Sequence, residues 1–457
     1  MPPPRRGVRS TAVAHLLRLD VDGAYIGSLT VAPGVDARAV TDLVAGATRR
    51  RRALDYALTT LAARPVDALA PALRAVLRAG LHELAGGAPA HSANEYVTLA
   101  RSTGGAGAAG IANAVLRRAG EVVAATGALP APNAPSPSAT PNRAALRALA
   151  IRASHPDWMV RRWVSRYGWE AAVALMDANN AAPHFCVRAA DGASSAELAA
   201  TLAAAGATVR PSNLLPDEFV VVDRGMACVR PLLTAGAAAA QDDAAAAVVA
   251  LAAPTPGQSL LDACAAPGGK ALFAAARMGG VGRLVARDAS DSRLAPLRAA
   301  AAAAADRGSW PPSFFSVEVG DGRAAGADHG PTFDTVLIDA PCTGTGVLSK
   351  RADLRWRRAE ADVATAASLQ AELLAGAAGA VKPGGVLVYS TCSLEPEENE
   401  GAVASFLASP AGAGFAVDPP PPGALPAAVV TEAGFLMALP HVHGTDGAFG
   451  ARLRRVG

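Results

Sequence analysis

Two cysteines follow apolar runs of the sequence and could act as nucleophiles. Cys342 stands four residues after the run that ends at Ile338, and Cys392 stands three residues after the run that ends at Tyr389. A single cysteine in such a place more often packs as a small apolar side chain, although its thiolate is an intrinsically strong nucleophile. Two such cysteines, one of them close to Asp339, favour chemistry over packing.

These side chains suit methylation at carbon 5 of a cytosine. Carbon 5 attacks a sulfonium methyl group poorly, but a thiolate that adds to carbon 6 converts the ring to an enamine-like species whose carbon 5 can attack. The thiolate needs positive charge or backbone amides nearby, and the charge that develops at N3 needs a proton donor. Asp339 suits the donor role. A target base must be flipped out or single-stranded to reach such a pocket.

A glycine-containing turn between an apolar run and a helical stretch is a candidate cofactor site. Gly268 and Gly269 lack a Cβ, so backbone amides can approach a ligand where the helix begins. The pattern is neither the dinucleotide motif nor the P-loop motif. Lys270 could lower a thiol pKa or orient the base, and a packing or surface role for it stays open. The turn consists of Cys264, Ala265, Ala266, Pro267, Gly268, Gly269 and Lys270.

Acidic residues follow the next two apolar runs. Asp288 ends the run that begins at Arg283, about twenty residues beyond the glycine turn, where an acid can bind the hydroxyls of a ribose. Asp321 follows the third run, and its carboxylate could accept a hydrogen bond from an adenine amino group. Each acid alone would be an ordinary loop residue. Three successive run ends with suitable side chains predict a nucleoside cofactor.

The elements that must position these residues differ between the two halves of the chain. From about residue 183, short apolar runs alternate with Ala-rich helical segments, which predicts an α/β fold with a largely parallel sheet. Ligands bind such sheets at the carboxyl ends of the strands. Residues 8–120 are predicted to be helical, since Leu54, Leu58 and Leu61 recur at spacings of three and four. The Pro-, Ala- and Ser-rich segment 127–143 is predicted to be a linker.

Charge is distributed unevenly over the 457 residues, whose net charge is only +3. Residues 1–166 contain 21 Arg, no Lys and 10 acidic residues, giving +11, and the remainder carries −8. A basic first part suggests a polyanionic partner, with a solvated Arg-rich helical surface as the open alternative. The length favours two or three domains.

Cysteine usage and hydropathy exclude several classes of protein. The five cysteines form no CxxC pair and their number is odd, so neither a disulfide framework nor a metal site is expected, and a reducing compartment is. Apolar runs are interrupted too often for a membrane span. The first residues lack the apolar stretch of a secretory signal. We therefore expect a cytoplasmic monomer, with residence in an organelle left open.

Four segments resemble those of the RNA cytosine-C5 methyltransferases of the Sun class, most closely the bacterial Sun (RsmB, Fmu)-type enzymes that modify 16S rRNA. The resemblance implies that Cys392 is the nucleophile, that Cys342 helps to release the product, and that S-adenosyl-L-methionine is the cofactor. It assigns cofactor binding to Cys264 through Lys270, Asp288, Asp321 and Asp339. The segments are LDACAAPGGK, FDTVLIDAPCTGTGVLSKRADLRW, VKPGGVLVYSTCSLEPEEN and HGTDGAFGARL.

The first part of the chain resembles the NusB-like RNA-binding domain that Sun-type enzymes carry. This resemblance rests on Ala79 to Leu84, Pro89 to His91, Asn94-Glu95 and Gly110 to Arg118. One departure is Ala190, where the family typically has Asn. The next residues, Asp191 and Gly192, predict a turn.

The resemblance and the patterns together predict a multi-domain protein, all-α at first and Rossmann-like α/β afterwards. The predicted ranges are 1–126 for the NusB-like domain, 127–143 for the linker, 144–240 for a helical and small α/β connecting subdomain, and 241–457 for the methyltransferase domain. In the connecting subdomain, Trp158 and Trp163 are predicted to pack rather than to stack on bases.

Three functions stay open at this point. The first is methylation of small-subunit rRNA, and the second is the same chemistry on tRNA, another RNA or DNA, where for DNA Cys342 instead of Cys392 would form the adduct. The third is a catalytically silent NusB-like RNA-binding or antitermination protein. For the enzyme, phosphates are expected to bind the Arg-rich first part together with Lys350, Arg351, Arg355, Arg357 and Arg358.

Overall fold

The computed structural model describes residues 7–137, 141–190 and 194–457. The chain forms two compact units, of which the first comprises Met1–Ala181 and Leu348–Arg358 and the second comprises Ala182–Val347 and Ala359–Gly457. The segment 144–240 is therefore divided between the units after Ala181. The turn predicted at Asp191 and Gly192 lies outside the described residues.

The first unit contains helices and no strand among its described residues, as the spacing of its apolar residues predicts. Leu54, Leu58 and Leu61 are buried in one core with Leu77 and Leu81. No helix in the described part of the chain has the length and apolar character needed to cross a membrane. The helices of this unit are Val8–Val21, Ala37–Arg49, Arg51–Ala62, Pro71–Ala85, Ala93–Thr126, Arg143–Arg152, Asp157–Tyr167, Trp169–Asn180 and Leu354–Arg357.

The segment predicted to be a linker and the tryptophans predicted to pack lie in this unit. The described residues between Gly127 and Asn142 form neither a helix nor a strand. The Asn142 side chain then caps the next helix by accepting a hydrogen bond from the amide of Ala145. Trp163 is 1% exposed and makes an edge contact with the ring of His155 at 5.6 Å between ring centroids. Trp163 therefore packs, as predicted.

Arg355 lies fully buried within the first unit. Its guanidinium donates hydrogen bonds to the carbonyl oxygens of Ser154 at 3.2 Å and Asn179 at 3.0 Å. It also donates to the side-chain oxygen of Asn180 at 2.8 Å. A guanidinium enclosed in this way cannot reach a phosphate. The expectation that Arg355 binds RNA phosphates is therefore wrong.

The neighbours of Arg355 differ in their exposure. Arg357 is half-buried: its guanidinium lies 3.7 Å from the centroid of the Tyr25 ring and donates to the carbonyl oxygen of Gly23 at 2.7 Å. Lys350 and Arg351 are exposed. For these two side chains, phosphate binding stays a prediction.

The second unit contains two sheets, of which the smaller is antiparallel with the strand order β2-β3-β1-β4. The helices Ser195–Ala204 and Met226–Thr234 contribute to the packing beside it. Ser194 and Glu197 form a capping box that begins the first of these helices, which satisfies two amides that would otherwise lack acceptors. The strands are β1 (Cys186–Ala189), β2 (Thr208–Pro211), β3 (Val220–Arg224) and β4 (Ala238–Ala240).

The larger sheet has the strand order β10-β12-β9-β8-β5-β6-β7, with β11 paired to β12. The strands from β9 to β7 in this order are parallel, and β10, β11 and β12 pair antiparallel. The predicted α/β fold with a largely parallel sheet is confirmed. The strands are β5 (Ser259–Asp262), β6 (Arg283–Asp288), β7 (Phe315–Val319), β8 (Phe333–Asp339), β9 (Val381–Thr391), β10 (Phe415–Val417), β11 (Leu436–Ala438) and β12 (Ala448–Arg455).

Helices connect these strands and cover the sheet. Continuous apolar runs form the central strands, where Val336, Leu337 and Ile338 are all buried, as expected for a parallel sheet with both faces covered. Four of these strands, β5, β6, β8 and β9, end at one edge. The helices are Asp243–Ala252, Gly269–Arg277, Asp291–Asp306, Ala325–His329, Ala361–Ala378, Glu400–Leu407 and Pro440–His443.

We expect the substitution Arg355→Met to destabilise the first unit by about 2 kcal/mol or more, because it leaves several buried oxygens without a donor. The measurement is the urea midpoint of unfolding for the full chain. Arg147→Met, at an exposed position of the same unit, is the control and should change the midpoint little. Equal midpoints for both variants would contradict a structural role for Arg355.

Candidate active site

The helix after β5 brings Lys270 to the end of β8. The ammonium nitrogen of Lys270 lies 2.7 Å from Oδ2 of Asp339, and the hydroxyl of Ser390 donates to Oδ1 of the same carboxylate at 3.0 Å. Burial lowers the pKa of Lys270, but the charge of Asp339 and its hydrogen bond outweigh that effect and raise the pKa above its usual value. Lys270 is therefore an ammonium group, and Lys270 and Ser390 together fix both oxygens of Asp339.

Cys342 and Cys392 meet at the same edge, with their sulfur atoms 3.2 Å apart. The hydrogen bond to Cys392, together with burial, raises the pKa of Cys342 well above its usual value. Cys342 thus keeps its proton and can donate it to a hydrogen bond with the Cys392 sulfur. The charge of Lys270 interacts favourably with a Cys392 thiolate. That Cys392 is the nucleophilic sulfur of the pair stays a prediction.

Two loops carry these cysteines, the PC loop (residues 340–347) after β8 and the TC loop (residues 392–395) after β9. The fully buried carboxylate of Glu398 holds both loops. It accepts hydrogen bonds from the amide of Thr343 at 2.9 Å and from the hydroxyl of Ser393 at 2.6 Å. The side-chain amide of Gln370 is a further donor at 3.1 Å. Glu398 therefore holds the PC loop and the TC loop together.

A close backbone contact supports the same two loops. The amide of Gly346 donates to the carbonyl oxygen of Cys392 at 2.9 Å, and the amide of Gly447 donates to the carbonyl oxygen of Gly346 at 2.8 Å. A Cβ on Gly346 would lie 2.8 Å from the Cys392 oxygen and 2.8 Å from the Cα of Gly447. Glycine is required at Gly346 because the backbones of the loops touch there.

The turn after β5 leads directly into the N-terminus of the helix Gly269–Arg277. Gly268 has a φ of 116°, and a Cβ there would lie 2.5 Å from a methyl carbon of Leu297. Asp288, which is buried, accepts hydrogen bonds from the amide of Ala266 at 3.2 Å and from the amide of Ser290 at 3.0 Å. The carboxylate therefore ties the turn to the end of β6. Its contact with a ribose stays a prediction.

Cys264 begins this turn, and Asp321 follows β7. Both oxygens of Asp321 accept from Arg323, whose side-chain hydrogen bonds lower the pKa of Asp321. Its contact with an adenine is a prediction. Burial, followed by the surrounding carboxylates, raises the pKa of the Cys264 thiol. Cys264 is therefore a neutral thiol. We predict that it contributes to the cofactor site through its backbone and the size of its side chain.

The structure brings together all the residues that the sequence predicts for the site, and it adds others. Asp262, at the end of β5, is fully buried, and its Oδ2 has no hydrogen-bond partner. Burial, reinforced by the charge of Asp339, raises the pKa of Asp262 to about 7. Asn399 accepts from the hydroxyl of Thr391 at 2.6 Å and donates to the carbonyl oxygen of Ser393 at 3.0 Å. It thereby supports the TC loop.

Sequence reasoning missed Asp262, Glu398 and Asn399, although all three lie inside segments that it quoted. Asp262 could have been noticed as an acidic residue within an apolar run. Glu398 and Asn399 could have been noticed as polar residues beside the segment that contains Cys392. Burial decides their roles, and neighbouring sequence does not reveal burial.

Asp262 gives a stability prediction that depends on pH. A carboxyl group whose pKa rises from 3.8 to about 7 on folding stabilises the fold below its unfolded pKa, and that contribution is lost as the pH rises through about 7. Asn cannot ionise. The free energy of unfolding of Asp262→Asn, relative to that of the wild type, should therefore be about 3 kcal/mol more favourable to the folded state at pH 8 than at pH 5. Urea unfolding at both pH values measures this difference. Asp306→Asn, at an exposed site, should show none.

Glu398 gives a second prediction. Glu398→Gln keeps the shape of the side chain but turns an amide NH₂ towards buried donors. We therefore expect the free energy of unfolding to fall by about 2 kcal/mol. Because the loops are then held less firmly, iodoacetamide should alkylate Cys392 faster. Urea unfolding and mass spectrometry of the alkylated peptide provide the two measurements. Glu397→Gln, at an exposed position, is the control. An unchanged alkylation rate in Glu398→Gln would show that Glu398 does not hold the loops.

Family models match most of the chain. A model of the 16S rRNA methyltransferase RsmB/F matches residues 249–454, the NusB family matches residues 6–121, and a Methyltr_RsmF/B-like ferredoxin-like domain matches residues 155–228. The last of these contains part of the small antiparallel sheet.

Relatives match the chain over nearly its whole length. A probable ribosomal RNA small subunit methyltransferase B of Bacillus subtilis is 30% identical over 99% of this chain and 100% of its own length. A protein of the same name from Synechocystis is 31% identical over 92% of this chain and 91% of its own length. A solved methyltransferase homolog from Pyrococcus horikoshii is 27% identical, with a TM-score of 0.56 over 69% of this chain and 100% of its own. The chain belongs to the RsmB/F family of 16S rRNA methyltransferases.

Proposed function

We propose that this protein transfers a methyl group from S-adenosyl-L-methionine to carbon 5 of a cytosine in small-subunit (16S) rRNA. The observation that carries the proposal is the pair of sulfur atoms of Cys342 and Cys392, 3.2 Å apart, beside the ion pair of Lys270 and Asp339. The names of the relatives support rRNA as the substrate. The NusB-like first part supports RNA as the partner.

The residues at the edge of the large sheet fit the cofactor. The turn 264–270 presents backbone at a helix N-terminus, and the buried carboxylates of Asp262 and Asp288 lie beside it. Asp262 has an oxygen without a hydrogen-bond partner. The turn, Asp288 and Asp321 would hold S-adenosyl-L-methionine, which when bound supplies an electrophilic methyl group.

The first part of the mechanism is addition to the base. The Cys392 thiolate forms a bond to carbon 6 of cytosine, and the electrons of the C5–C6 double bond shift towards N3, which takes a proton from the carboxyl group of Asp339 and leaves that group as a carboxylate. Lys270 holds that carboxyl group and favours the thiolate by its charge. Cys342 remains a thiol because the neighbouring sulfur raises its pKa. Carbon 5 thereby becomes the nucleophile that accepts the methyl group.

The second part is release. The proton of carbon 5 leaves to solvent, its bonding electrons re-form the C5–C6 double bond, and the bond between carbon 6 and Cys392 breaks. N3 returns its proton to the Asp339 carboxylate, which restores the carboxyl group. Sulfur leaves as a thiolate, which the S–H group of Cys342 stabilises by a hydrogen bond at the observed separation of 3.2 Å. Cys342 thus has a role in product release, which agrees with the resemblance described above.

The proposal extends to location and to RNA binding. Two thiols at this separation would oxidise readily in an oxidising compartment, so we propose a cytoplasmic site of action. The Arg-rich first part, Lys350 and Arg351 would bind phosphates. We further propose that the enzyme acts as a monomer.

Cysteine variants test the chemistry. We expect Cys392→Ala to abolish methyl transfer from radiolabelled cofactor to 16S rRNA, since no adduct can form, while calorimetry shows cofactor binding intact. Cys342→Ala should instead accumulate an RNA–protein adduct that mass spectrometry locates on Cys392. Cys228→Ala, a half-buried thiol in the small-sheet region, is the control and should keep full activity.

Other outcomes separate the alternatives. An adduct on Cys342 in Cys392→Ala would favour the order of events expected for a DNA-type enzyme. Failure of the wild type to bind the cofactor would favour the catalytically silent RNA-binding protein. Bisulfite sequencing of 16S rRNA and tRNA, with and without the gene, identifies the RNA that is methylated. Loss of a tRNA signal alone would overturn the proposed substrate.

A further inference from the structure

A cluster of potential metal ligands lies in the second unit, apart from the residues of the proposed active site. Cys186 begins β1 and His184 stands two residues before it, so their side chains point to the same side where the chain is extended. Asp243 begins the helix Asp243–Ala252. Ligand atoms of these three residues all lie within 4.8 Å of one another.

The distances within the cluster suit a tetrahedral ion. Nε2 of His184 lies 3.2 Å from Oδ2 of Asp242 and 3.4 Å from Oδ1 of Asp243. Zinc–nitrogen and zinc–oxygen bonds of about 2.0–2.1 Å at a tetrahedral angle place neighbouring ligand atoms about 3.3 Å apart. The two separations measured from Nε2 of His184 agree with that value.

Asp243 provides an independent indication of a cation. The residue is 1% exposed, and its Oδ2 accepts a hydrogen bond from the hydroxyl of Ser212 at 2.7 Å. Its Oδ1, which faces His184, is buried without a hydrogen-bond partner. A buried carboxylate oxygen without a donor is costly unless a cation or a hydrogen bond compensates it.

Asp242 lies beside this set of donors. Its Oδ1 caps the helix by accepting from the amide of Ala244 at 2.9 Å, and its Oδ2 lies near the His184 ring. One imidazole nitrogen, one sulfur and one carboxylate oxygen, from His184, Cys186 and Asp243, therefore converge. Nitrogen and sulfur ligands favour Zn²⁺, whereas Mg²⁺ and Ca²⁺ select oxygen ligands alone.

We propose that His184, Cys186 and Asp243 bind a Zn²⁺ ion. The ion would join the start of β1 in the small sheet to the helix that precedes β5 in the large sheet. The sequence does not predict this site, because its ligands are an isolated His-x-Cys and a distant Asp.

Cobalt is the probe for the sulfur ligand. Co²⁺ is titrated into the full chain that carries Cys342→Ala and Cys392→Ala, so the active-site thiols cannot bind it. We expect thiolate-to-cobalt charge-transfer absorption that saturates at one equivalent and is displaced by Zn²⁺. Adding Cys186→Ser should abolish the absorption, whereas adding Cys228→Ser should leave it unchanged.

Asp243→Asn provides a second variant that keeps the shape of the side chain and an acceptor for Ser212. Competition with a chromophoric chelator should show Zn²⁺ affinity reduced by about 10-fold or more, as expected when a metal site loses a charged group. Circular dichroism confirms that each variant is folded. Absence of the cobalt absorption, its persistence after Cys186→Ser, or unchanged Zn²⁺ affinity in Asp243→Asn would overturn the proposal.

Discussion

The active-site arrangement depends on the buried side chain of Glu398. Among the described residues, its hydrogen-bond donors are uncharged groups of the PC loop, of the TC loop and of the helix that carries Gln370. A buried acceptor that loses its donors is costly. Because these donors belong to different loops, satisfying the two oxygens of Glu398 holds the loops that carry Cys342 and Cys392 together.

Desolvation and neighbouring charge act together at this edge. The ammonium group of Lys270 is paired with Asp339, and Asp262 lies near both groups. Burial and the neighbouring Asp339 make a charge on Asp262 costly, and Asp262 accordingly has a raised pKa. The positive charge of Lys270 also interacts favourably with a thiolate on Cys392. One cation thus lies beside both the carboxyl group and the sulfur atom that the proposed mechanism uses.

The sequence predicted the fold class and the meeting of the site residues, because parallel strands end at one edge and each predicted side chain follows such a strand. It did not predict the environment of Arg355, which sits in a basic stretch and was expected at the surface. The carbonyl oxygens of Ser154 and Asn179 lie at or just after helix ends, where backbone acceptors lack partners within the helix. Arg355 satisfies them. That requirement depends on tertiary structure and leaves no local pattern.

The path of the chain links these observations. The PC loop ends at Val347, and the next residue, Leu348, already belongs to the first unit. Glu398 holds the loop at Thr343, and Arg355 holds the following segment by hydrogen bonds within the first unit. A segment held at both ends loses less conformational entropy when it orders around a substrate. The buried contacts of Thr343 and of Arg355 therefore restrict the chain that follows Cys342.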